Sequence, residues 1–120
     1  MNSVGIDVSK GRSTVAVMRP FGEVVISPFE VRHTNSELSA LARLLKSLDG
    51  ETRVVMEATE NYHTPVAKVL HDARLYVSVV HAKLIHGYGN NDLRRVKTDR
   101  KDAVKPANYG LNRWLTLPRY

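Results

Sequence analysis

The chain has 120 residues, 42% of them hydrophobic, no cysteine and a net charge of +6. That length suits one domain, the apolar fraction supports a packed core and not a disordered chain, and the lack of cysteine excludes disulfides and thiolate metal sites. No apolar run approaches the roughly 18–20 residues that a membrane span needs, and the opening MNSVGIDVSKGR puts an acid and two bases where a secretion signal needs its apolar stretch, so a cytoplasmic protein is expected.

Residues 4–8 (VGIDV) are short, apolar and β-branched, and predict a buried strand ending near Asp7. Lys10-Gly11-Arg12 reads as a turn, residues 13–18 as a second strand and residues 23–31, after Pro20-Phe21-Gly22, as a third. The connections are too short for crossover helices, so the three strands form an antiparallel meander. Thr34-Asn35-Ser36-Glu37 fits a capping box, and Leu38, Leu41, Leu45 and Leu48 follow at helical spacing until Asp49-Gly50 stops the helix. Residues 53–57 (RVVME) predict a fourth strand. Thr64-Pro65 suits an N-cap and first helical residue before Val66, Val69, Leu70 and Ala73, and residues 75–80 predict a fifth strand. The order β-β-β-α-β-α-β, followed by a basic loop and a last helix, implies an α/β fold with a mixed sheet and packed helices.

Charge is unevenly placed. Nine bases and nine acids cancel up to Ala82, whereas nine bases face three aspartates from Lys83 onward. A clustered basic segment favours a polyanion, nucleic acid first, with a solvated basic face as the plain alternative.

Four acids stand out. Asp7 and Glu57 each end an apolar strand, and Asp99 and Asp102 are read as opening the last helix on one face. An ionised carboxylate at the end of a buried strand needs a partner. Gathered together, the four would repel one another until divalent cations bound, and hard oxygen ligands suit Mg²⁺ or Mn²⁺. Two such ions about 3.5–4 Å apart can drive phosphodiester cleavage. Each acid also has a plainer reading: Asp7 as a turn or cap residue, Glu57 as a cap of the Thr59-Glu60-Asn61 loop, and Asp99 with Asp102 as complements to the helix dipole. The five histidines show no zinc spacing, and His63 reads as a surface residue or a DNA contact.

VGIDVSK from Val4, MEAT followed by Asn61-Tyr62-His63, and KTDRKDA followed by Asn108-Tyr109-Gly110 resemble, in order, the motifs of the N-terminal domain of insertion-sequence-110 DEDD transposases, which related DNA-inverting recombinases share. The resemblance runs from about Val4 to Gly110. It implies an RNase H-like domain similar to that of Holliday-junction resolvases, acting in DNA transposition or recombination in a prokaryotic cell, at the nucleoid when bound to DNA. It implies a metal site of Asp7, Glu57, Asp99 and Asp102; with that reading Arg94, Arg95, Lys97, Arg100 and Lys101 are contacts to phosphate, and Lys10 is either a phosphate contact or a plain turn lysine. DNA is the implied partner, with a guide RNA in some members and a further copy or a full-length transposase as protein partner. Family members add a C-terminal domain with an attacking serine. Residues 1–110 are read as the catalytic domain and 111–120 as a basic tail, with the serine domain absent and the chain truncated. Ser9 belongs to the first motif and is no substitute. Trp114 and Tyr120 in the tail are read as packing on the domain, with base stacking as the alternative.

Two positions depart from the family pattern. Glu60 replaces a usual glycine, and Pro106 replaces an aliphatic residue in the last helix. With Thr98 as N-cap, Pro106 would fall in the helix interior, lose a hydrogen bond to the Asp102 carbonyl and cost about 3 kcal/mol. A kink or an early end near Lys105 is therefore expected. A resolvase-like nuclease and a non-catalytic nucleic-acid-binding remnant are the competing readings. An actin-like ATPase lobe is disfavoured because Val8-Ser9-Lys10 follows Asp7 in place of a Gly-Thr phosphate loop.

Overall fold

A computed structural model describes residues 1–87 and 102–120. Five strands form one sheet in the order β3-β2-β1-β4-β5. These are β1 (Asn2–Ser9), β2 (Arg12–Arg19), β3 (Glu23–Arg32), β4 (Thr52–Glu57) and β5 (Tyr76–Val80). β1 pairs antiparallel with β2, and β2 with β3, which is the expected meander. β1 pairs in parallel with β4, and β4 with β5. The strands arise where β-branched residues alternate across the sheet. The turn between β1 and β2 is two residues long because Gly11 takes φ +78°, which suits a residue without Cβ.

One face of the sheet carries the larger core. Val4, Ile6, Val8, Val15, Val17, Val54, Met56 and Val77 pack there against Leu38, Leu41 and Leu45 of α1 (Asn35–Lys46) and Val66, Ala67 and Leu70 of α2 (Thr64–Asp72). The Thr34 half of the expected α1 capping box forms, whereas Glu37 reaches past Thr34 to Arg32. Thr34 Oγ1 accepts from the Glu37 N–H at 3.2 Å, and Glu37 Oε1 accepts from the Arg32 N–H at 2.8 Å. The start of α2 shifts by one residue: His63 is the N-cap without a side-chain cap bond, and Thr64 is already helical.

The opposite face is covered differently. A short helix that the sequence reading did not anticipate, α3 (Ala82–Gly87), follows β5, and α4 (Val104–Asn112) lies across the sheet. The expected helix end near Lys105 is overturned. α4 begins at Val104 with Ala103 as N-cap, so Pro106 sits in its first turn, where the missing proline N–H is needed for no helical bond. Asp102 precedes this helix and does not lie within it, so its expected place in the helix's opening turn is corrected, while Asp99 lies outside the described residues.

α4 reaches the sheet because two glycines stand at the crossing. A Cβ on Gly5 would overlap the Ala103 carbonyl oxygen and the Ala107 amide nitrogen, and a Cβ on Gly110 would overlap Ser3 Oγ. In the space so left, Ser3 Oγ donates to the Ala107 carbonyl at 2.6 Å. The basic tail packs on this same face. Trp114 and Leu117 are buried, and the Arg53 guanidinium lies over the rings of Tyr76 (4.2 Å) and Trp114 (4.7 Å). No helix among the described residues is long and apolar enough to cross a membrane.

Candidate functional site

Parallel pairing runs from Asn2 opposite Thr52 to Ile6 opposite Met56. The next residue on each strand is Asp7 on β1 and Glu57 on β4, and neighbouring strands lie about 4.8 Å apart. Ile6 and Met56 point into the larger core. Strand alternation therefore turns Asp7 and Glu57 to the other face, the one that carries α4. Both acids are half-buried, with the Glu57 side chain 29% exposed, so each is shielded yet reachable from solvent.

α4 runs back along β1, which brings the residue before it to the Asp7 end of the strand. The Asp102 N–H donates to Asp7 Oδ2 at 2.6 Å. Asp102 Oδ1 in turn accepts from the Lys105 N–H at 3.1 Å, satisfying one amide of the first helical turn. On the far side of the site, Glu57 Oε1 accepts from His86 Nε2 of α3 at 2.7 Å. Sequence reasoning missed His86 because α3 itself was not anticipated. Its only signal is position, six residues after the end of β5. His63, at the start of α2, holds the loop after Glu57 by accepting from the Thr59 N–H at 3.1 Å through Nδ1.

Asp7, Glu57 and Asp102 thus stand at one end of the sheet. Lys10, exposed in the turn after β1, belongs to the same end. Asp99, Arg94, Arg95, Lys97, Arg100 and Lys101 lie outside the described residues. Among the described residues, no three His, Cys, Asp or Glu side chains stand as a group that could hold a metal ion. The donors present are carboxylate oxygens, the chemistry that suits a hard divalent cation.

The sequence profile of the transposase family of the insertion-sequence-110 DEDD type matches residues 4–119. The chain belongs to this transposase family. DNA transposition and recombination are accordingly the work of the family to which the domain belongs. No curated protein matches the chain. Among solved structures, this transposase-family domain is similar to Thermus thermophilus RuvC in complex with a Holliday junction substrate, at a TM-score of 0.67 and 13% identity, covering 100% of this chain and 99% of that one. It is also similar to a second Thermus thermophilus RuvC structure, at a TM-score of 0.61 and 15% identity, covering 100% of both chains. These likenesses show that the transposase-family domain has the RNase H-like fold of RuvC.

Proposed function

We propose that the chain is the metal-dependent strand-cleaving domain of a DNA transposase, with Asp7, Glu57, Asp99 and Asp102 holding Mg²⁺ or Mn²⁺. The observation that carries this reading is the convergence of Asp7 and Glu57 on one face of adjacent parallel strands, with Asp102 hydrogen-bonded to Asp7. Bound there, paired divalent ions would activate the attacking oxygen and neutralise charge on the leaving one. The chain's own residues do the rest. Asp7 fixes the start of α4 through the Asp102 amide, so the aspartate carried before that helix is held beside the strand-end acids. Lys10 and the bases Arg94, Arg95, Lys97, Arg100 and Lys101 bind the DNA backbone as sequence-independent phosphate contacts. A guide RNA and a further copy of the transposase are partners consistent with this role, which is carried out in the prokaryotic cytoplasm, at the nucleoid when DNA is bound.

The test pairs metal binding with cleavage. Wild-type chain should bind Mn²⁺ and, with Mg²⁺, cut a four-way DNA junction, a substrate suggested by the junction-bound relative of the same fold. Asp7→Asn should bind Mn²⁺ at least tenfold more weakly and not cut. Equal Mn²⁺ binding by both proteins overturns the site. Metal binding without cleavage of any branched or linear DNA favours the non-catalytic binding module instead.

A further inference from the structure

Glu57 is held from outside the acid set. β4 and β5 pair in parallel up to Glu57 opposite Val80, and the chain then turns at His81 into α3. That turn is fixed locally: the Leu84 N–H donates to the His81 carbonyl at 3.0 Å, and the Lys83 N–H donates to His81 Nδ1 at 3.1 Å. Ile85, 1% exposed, anchors α3 in the cluster formed with Val55 and Val80. His86 follows Ile85 directly, and its imidazole reaches Glu57 Oε1 at 2.7 Å. The ring nitrogen is the donor, because an ionised carboxylate only accepts.

We infer that His86 is a positioning residue for Glu57, engaging one carboxylate oxygen so that the other is presented toward Asp7 for a divalent cation. A glutamate side chain left free loses rotamer entropy when it is ordered. A bond that orders it in advance therefore raises affinity for the ion. Hydrogen bonds to ligating carboxylates from residues outside the ligand set tune metal affinity in this way. The His86 side chain is 59% exposed, and exposed ion pairs or hydrogen bonds contribute little to folding. His86 is thus a poor candidate for a purely structural role.

This inference rests on the metal-site reading above, and the experiment separates the two. Mn²⁺ affinity and thermal midpoint are measured on the full chain for wild type, His86→Ala, His86→Gln and Asp7→Asn. His86→Ala should bind Mn²⁺ about 10–100-fold more weakly with an unchanged thermal midpoint, and His86→Gln, which keeps an N–H donor, should recover part of the loss. If wild type and Asp7→Asn differ while His86→Ala binds as tightly as wild type, or more tightly, the positioning role is overturned and the metal site stands. If wild type binds no Mn²⁺, or binds no better than Asp7→Asn, both fall.

Discussion

The Asp102 amide donates to the Asp7 carboxylate across a sequence separation of 95 residues, at 2.6 Å. Nothing local imposes that contact. It exists because α4 lies close enough to β1, and that closeness depends on Gly5. Gly5→Ala would place a methyl group against backbone atoms of Ala103 and Ala107, which cannot rotate away. Overpacking of this kind costs about 1–3 kcal/mol. The variant should melt lower by about 4–8 °C per kcal/mol lost, and exchange of the Asp102 amide should accelerate because the helix stands off the strand. Normal protection of that amide in Gly5→Ala would contradict the account.

Glu60 occupies a backbone position at φ +32°, within the left-handed region that side chains disfavour. The sequence resemblance marks this as the place where glycine is usual. Relief of the strain, about 1–2 kcal/mol, outweighs the extra unfolded-chain entropy of glycine, about 0.4–1 kcal/mol. Glu60→Gly should therefore stabilise the fold by up to about 1.6 kcal/mol, and the β-branched Glu60→Val should destabilise it. Urea titration measures both, and a less stable Gly variant would count against strain at this turn.

His33 Nε2 lies 2.7 Å from Ser13 Oγ, and burial lowers its pKa below the ordinary 6.5. Burial disfavours the imidazolium, so the unfolded chain binds this proton more readily than the folded one. The contribution to stability is intact above pH 6.5. It falls as pH drops below 6.5 and levels off beneath the lowered folded-state value. His33→Gln should lack that component, so the stability difference between wild type and variant should shift toward the variant between neutral and mildly acid pH. Parallel stability curves for the two proteins would refute the assignment.

Arg53 is held by several groups at once. Its Nε donates to Glu51 Oε2 at 2.8 Å, a terminal nitrogen donates to the Trp114 carbonyl, and its guanidinium lies over the rings of Tyr76 and Trp114. Lysine keeps the charge but neither the planar fork nor the stacking. Arg53→Lys should lower stability by about 1–2 kcal/mol and raise protease sensitivity after Arg113. An unaltered denaturation midpoint would show that the arrangement is incidental.

Legibility in the sequence followed the range of the forces involved. β1 and β4 could be read because short β-branched runs declare buried strands, and Asp7 and Glu57 could be singled out because each is an acid at the end of such a run. The cap of α1 was equally plain, since Thr34 and Glu37 act within one turn. α3 escaped because six residues containing lysine and histidine show no amphipathic period, and His86 escaped with it. The start of α4 was misplaced because Pro106 breaks a helix interior but suits a first turn. The Lys105 N–H bond to Asp102 and the Ala107 N–H bond to the Ala103 carbonyl mark where the turn begins. The burial of Trp114 depends on Arg53 and Tyr76, which lie far away along the chain, and no local pattern announces it.

The two sides of the sheet are unequally insulated. α1 and α2 seal one side with a broad aliphatic layer, while the side bearing Asp7 and Glu57 is roofed by α4, one serine hydroxyl and a small apolar patch. Free energies of partial opening scale with such cover. Partial opening of the α4 side therefore costs less than opening of the α1 and α2 side, and the five-stranded scaffold can stay folded beneath it.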